Sequence, residues 1–107
     1  MTQPDQLSLL ARIKARLELV FGCRLRGVVL YGSEARGEAS PDSDIDILVL
    51  LTGPVEFGRD LEAIIRALYP LQLEVDRVLE TVPVDEAAYL RGDYNWYRQA
   101  QEEGIRV

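Results

Sequence analysis

Histidine is absent from this chain, and cysteine occurs once, as Cys23. Without histidine, Ser-His-Asp and Cys-His mechanisms are excluded, as is a zinc site built on Cys and His. One cysteine cannot close a disulfide within the chain, and beside apolar neighbours Cys23 reads as a small buried hydrophobe. Positive charge is scarce: 12 Lys and Arg face 18 Asp and Glu, a net charge of −6. Stable nucleic-acid binding is therefore not expected, because grip on a phosphate backbone comes mainly from Lys and Arg. A nucleotide substrate is not excluded, since metal ions bridge carboxylates to polyphosphate, and an acidic surface suits a basic protein partner. No apolar run approaches the roughly 18 residues that span a bilayer. Met1 to Gln6 is polar where a secretory leader would carry its apolar segment. A cytoplasmic location without membrane contact is the expectation. There is no repeat, low-complexity stretch or linker, and residues 1–107 read as one domain. What remains for chemistry is carboxylate, hydroxyl, arginine, backbone amide and bound metal.

Apolar residues recur at helical spacing from Gln6 to Phe21, through Leu7, Leu10, Ile13, Leu17 and Val20, with Gly22 suited to the C-terminal cap. Arg24 to Tyr31 reads as a strand and Glu34-Ala35-Arg36 as one helical turn. Ser40 to Ser43 is a turn cluster. Asp44 to Leu51 is apolar on both faces from Ile47 onward, which predicts a central strand buried on both sides. Phe57 to Tyr69 follows as a helix presenting Leu61, Ile64, Ile65 and Leu68. Leu71 to Glu80 alternates as a half-buried strand, with Leu71, Leu73, Val75 and Leu79 inward and Gln72, Glu74, Asp76 and Glu80 outward. Pro83 opens a final, mainly helical segment whose Tyr89, Tyr94, Trp96 and Tyr97 read as packing of a terminal helix, with base stacking or a partner surface as alternatives. This order predicts an α/β or α+β sandwich, a small mixed sheet flanked by helices.

The short link from Tyr31 to Asp44 favours antiparallel pairing of the first two strands. That pairing sets the end of the first beside the start of the second, so Gly32 and Ser33 meet Asp44 and Asp46 at one sheet edge. Two residues apart on a strand, Asp44 and Asp46 point to the same face, where they repel unless a cation lies between them. Magnesium takes one or two carboxylates and completes its shell with water and phosphate. Gly32-Ser33 leaves backbone N–H groups free to hold phosphate, and Arg36 is the nearest cation that can pair with it. Solvated acids at a strand start, an ordinary turn and a surface arginine are the bland alternatives.

The string Tyr-Gly-Ser-Glu-Ala-Arg-Gly-Glu-Ala-Ser-Pro-Asp-Ser-Asp-Ile-Asp, from Tyr31 to Asp46, resembles the signature of the minimal nucleotidyltransferases of the DNA polymerase beta superfamily. The order of elements from Leu7 to Val107 resembles a whole member. The resemblance implies the nucleotidyltransferase fold and transfer of a nucleoside monophosphate from a triphosphate, often ATP, to an acceptor hydroxyl with two magnesium ions. Carried over, Asp44 and Asp46 hold both ions, Gly32 and Ser33 bind phosphate, and a third carboxylate on a later strand helps activate the acceptor. The family pattern favours Asp76 for that third metal-binding and catalytic position, with Glu74 as the alternative.

The minimal members resemble antitoxins that adenylylate a tyrosine of a HEPN-type protein partner, and the acidic balance agrees with a protein acceptor. Two other functions stay open. The chain neutralises a partner by binding alone, or it transfers a nucleotide to a small molecule or RNA end. Base preference and homo- or hetero-oligomerisation are also open.

Overall fold

The computed structural model describes residues 4–32, 35, 37, 40 and 42–107. Helix α1 spans Pro4–Phe21 and buries Leu10, Ile13 and Leu17, one helical stripe, while Leu7 and Val20 stay exposed. Gly22, at φ +55°, takes the left-handed conformation that ends α1. A 3₁₀ turn, Gly22–Arg24, leads into strand β1, Leu25–Tyr31. Cys23 sits on that turn and is exposed, contrary to the burial expected of it, because the turn lies outside both apolar layers.

Strand β2, Ile45–Leu51, pairs antiparallel with β1 as the short connection required, Val28 opposite Val49 and Tyr31 opposite Asp46. Apart from Asp46 every residue of β2 is buried. Helix α2 spans Phe57–Gln72 and buries Asp60, Ile64, Ala67, Leu68 and Leu71; Ile65, expected on its apolar face, is exposed.

The stretch read as a strand over 71–80 is not one. Leu71 and Gln72 complete α2, the segment 73–78 is a connection, and strand β3 runs Leu79–Asp85. Pro70 lies within the last turn of α2, where its missing N–H and ring disturb little that follows: Leu73 still donates to the Tyr69 carbonyl at 3.1 Å. Nor does Pro83 start a helix. It lies in β3, which pairs parallel with β2 and forms one edge of the sheet, where a proline costs no ladder bond if its nitrogen faces outward. The terminal segment is two helices, α3 (Glu86–Arg91) and α4 (Asn95–Glu103), followed by a short strand β4, Ile105–Arg106, on the far side of β1.

The result is a mixed four-stranded sheet in the order β3-β2-β1-β4, covered by helices on both faces. Alternation along β2 divides the core. Ile45, Ile47, Val49 and Leu51 pack with α1 and α2; Leu48 and Leu50 pack with Val29, Val84, Tyr89, Tyr97 and Ala100 beneath α3 and α4. Each buried Leu, Ile or Val among them contributes about 1.5–3 kcal/mol by leaving water. The loop after β2 is locked by an ion pair on a buried carboxylate: both Arg24 Nη atoms donate to Asp60 at 3.1 Å. No helix among the described residues is long and apolar enough to cross a membrane.

Candidate active site

Asp46 is flanked on both sides. Tyr31 lies opposite it in the antiparallel ladder to β1, and Glu80 lies opposite it in the parallel ladder to β3. By the two-residue period of strands, Asp46 shares its sheet face with Leu48 and Leu50, and Glu80 shares its face with Val82 and Val84. Both carboxylates therefore stand on the α3/α4 face, at the edge where β1 ends and β2 and β3 begin. Asp44, one step before β2, completes a carboxylate group on that edge.

Electrostatics register the crowding. Partial burial, and then the charge of Asp44, push the Asp46 pKa above the ordinary carboxylate range. A hydrogen bond with Asp44, followed by the charge of Asp46, pushes Glu80 up as well. Tyr31 is raised by burial and by the charges of Asp46 and Glu80, so its hydroxyl stays protonated. Among the described residues these carboxylates do not close into a ready-made cage of three metal ligands. Magnesium needs no such cage, because one or two carboxylates suffice when substrate phosphate and water supply the rest. Two acids held back from ionisation, Asp46 and Glu80, with Asp44 beside them, fit a site completed by divalent cations.

Gly32 carries the chain away from β1 with φ +73°, and a Cβ added there would lie 2.7 Å from Asp46 Oδ2. The left-handed backbone requires glycine, and any side chain there would also push the Asp46 carboxylate aside. Of the expected phosphate-binding residues, Ser33 and Arg36 lie outside the described residues, as do Glu34 and Arg36 of the expected helical turn. Ala35 of that turn is helical.

The structure does not bring Asp76 to this edge on a strand. It sits exposed in the connection between α2 and β3, as does Glu74, whose carboxylate instead receives Arg12 Nη2 at 2.8 and 3.0 Å. Sequence reasoning placed Glu80 on the polar face beside Asp76 and gave it no role. The signal was present, since Glu80, Val82 and Val84 alternate with Leu79 and Thr81, but Pro83 broke the reading.

Two further residues position the edge. Arg77 Nε donates to the Ser43 carbonyl at 2.7 Å, and its Nη2 reaches Ser43 Oγ at 3.3 Å and the Asp44 carbonyl at 3.5 Å. Gln72 spans the connection after α2: its amide donates to the Arg77 carbonyl at 2.9 Å and accepts from the Leu79 N–H at 2.8 Å. Together they fix the turn before Asp44 and the start of the strand that carries Glu80. The aromatic residues divide. Tyr89 and Tyr97 are buried, whereas Tyr94 and Trp96 keep 59% and 38% of their surface exposed, and Trp96 lies 6.2 Å from Tyr31 between ring centres.

Known proteins resemble this chain in sequence and in fold. The "Putative protein adenylyltransferase MJ0604" of Methanocaldococcus jannaschii is 28% identical over 81 residues, covering 76% of each chain. A bifunctional uridylyltransferase/uridylyl-removing enzyme of Bordetella pertussis is 40% identical over 99 residues, 85% of this chain, which spans only 11% of that enzyme. A crystal structure of a toxin–antitoxin with AMP-PNP has a similar fold, with TM-score 0.62 and 22% identity over 90% of this chain and 69% of that one. The family profile described as nucleotidyltransferase domain matches residues 10–97, most of the chain, and the protein belongs to that family.

Proposed function

We propose that this nucleotidyltransferase is magnesium-dependent and moves AMP from ATP to an acceptor hydroxyl, that of a tyrosine on a HEPN-type protein partner which it silences as an antitoxin. The observation that carries the reading is the convergence of Asp44, Asp46 and Glu80 at the edge where Gly32 turns the chain. Asp44 and Asp46 hold the metal ions, and the turn at Gly32-Ser33, aided by Arg36, holds the β- and γ-phosphates. We assign the third carboxylate to Glu80 rather than Asp76, because only Glu80 faces Asp46 across the parallel ladder. When bound, two magnesium ions would stabilise the attacking and leaving oxygens of an in-line displacement. The acceptor oxygen attacks the α-phosphorus, its proton passes to Glu80, and the bond from that phosphorus to the bridging oxygen breaks to release pyrophosphate.

The protein acceptor is supported by the acidic balance and by the likeness to a protein adenylyltransferase along most of both chains. A second reading, UMP transfer from UTP, is favoured by the identity to the uridylyltransferase, although the match covers a small part of that enzyme.

The test is the intact mass of the partner after co-expression with wild type or with Asp44→Asn/Asp46→Asn. Added mass of AMP with wild type alone supports the proposal, and added UMP supports the second reading. An unmodified partner that both forms still neutralise sinks catalysis and leaves a binding module. Glu80→Gln is expected to abolish transfer and Asp76→Asn to retain it; the reverse would return the third position to Asp76.

A further inference from the structure

We propose that Trp96 is the platform on which the base of the nucleotide stacks, an inference resting on the transferase reading above. Trp96 occupies the first turn of α4, and its indole is held by two rings. Tyr97 packs at 4.5 Å in an edge-on arrangement, and Tyr31 lies at 6.2 Å with the ring planes 34° apart. Tyr97 is itself anchored by Tyr89 at 5.8 Å in the core below α3 and α4. The indole is thus set in place before any ligand arrives, yet it remains 38% exposed, so stacking on it costs little side-chain freedom.

Sheet order decides which substrate it meets. Tyr31 is the residue before Gly32, so Trp96 stands on the β1 side of the carboxylates, beside the turn assigned to phosphate. Glu80, assigned to the acceptor hydroxyl, lies on β3, on the opposite flank of β2. Neighbouring strands are about 4.8 Å apart, which separates the two flanks by about 10 Å. A nucleotide whose phosphates lie at Gly32 therefore has its base within the reach of Trp96, and the acceptor approaches from the other side. Every base offers a π-face, so this platform sets affinity for nucleotide rather than the choice among bases.

Trp96 is the only tryptophan of the chain, and its emission reports on it alone. The experiment titrates the full-length wild type with ATP–Mg and with inorganic tripolyphosphate–Mg, following emission and, in parallel, heat. The expected result is a saturable change in emission with ATP and none with tripolyphosphate, although both bind. Trp96→Ala is expected to weaken ATP about 5- to 150-fold, the range for one base–aromatic stack, with tripolyphosphate affinity unchanged. Trp96→Phe should recover most of the loss and keeps the test open if the alanine variant does not fold. Calorimetric binding of ATP without an emission change overturns the stacking proposal and spares the transferase reading. An emission change produced by a tyrosine-bearing acceptor peptide and not by ATP also overturns it. If no nucleoside triphosphate binds at all, both readings fall together.

Discussion

Removing the charge of Asp46 is expected to stabilise the protein while destroying the metal site proposed for it. Asp46 faces Glu80 across the β2–β3 ladder and shares its face with Asp44, and neighbouring strands lie about 4.8 Å apart. Two carboxylates about 5 Å apart repel by roughly 3 kcal/mol at an effective dielectric near 20. Asp44 and Glu80 are exposed, so solvent and salt reduce the recoverable energy to about 1 kcal/mol. In a chain of this size that raises Tm by about 4 °C. The pH dependence has a defined sign. The folded-state pKa values of Asp46 and Glu80 are raised, so the folded protein binds protons more tightly than the unfolded one. Their contribution to stability is therefore greatest below the unfolded carboxylate pKa of about 4, falls as pH rises through the folded values, and stays low at neutrality. Melts of wild type and Asp46→Asn in EDTA at pH 5 and pH 8 should show the variant higher, with the larger gap at pH 8. Magnesium should raise the wild-type Tm and leave the variant unmoved. A variant that melts below wild type in EDTA at pH 8 would refute the argument, since Asp46 would then be a structural acceptor rather than a repelled charge.

Much of the site was legible because it depends on local rules. A Gly after a β-rich run, a short link and two acids at alternate positions of an apolar strand fixed the β1–β2 edge, and the structure pairs Tyr31 with Asp46 accordingly. What was not legible depends on tertiary context. Leu71, Leu73, Val75 and Leu79 alternate as a strand would, but Leu71 is claimed by the apolar face of α2, which Ile64, Ala67 and Leu68 had already established. Pro83 reads as a breaker until β3 is known to be an edge strand, and strand order follows from long-range packing that no window of the sequence contains. The family pattern favours Asp76, but β3 begins at Leu79, so it is Glu80 that stands opposite Asp46. The split between buried Tyr97 and exposed Trp96, neighbours in the chain, likewise required knowing which face of α4 meets the sheet.

Two substitutions test the supports of the site. Gly32→Ala places a side chain in a left-handed conformation, at about 1–2 kcal/mol, and drives its Cβ against Asp46 Oδ2 at 2.7 Å. Turnover should therefore fall by far more than the small drop in Tm suggests, and a kcat within about twofold of wild type would contradict a phosphate turn packed on a metal-binding carboxylate. Asp60→Asn removes the anion from a pair whose carboxylate is 2% exposed and leaves the Arg24 guanidinium partly buried. Urea melts should show a loss of about 1.5 kcal/mol, the worth of a charge-assisted hydrogen bond, because Arg24 is a third exposed and keeps the Thr52 and Pro54 carbonyls. The Arg24 hydrogen bonds hold the Asp60 pKa below its ordinary value, so its contribution is complete above the unfolded pKa of about 4 and disappears as pH falls through the folded one. The deficit of the variant should thus be constant from pH 5 to pH 8 and shrink in acid, opposite in sign to the effect of Asp46. A deficit that persists unchanged below pH 3 would assign the loss to packing around Thr52 and Pro54 instead of to the ion pair.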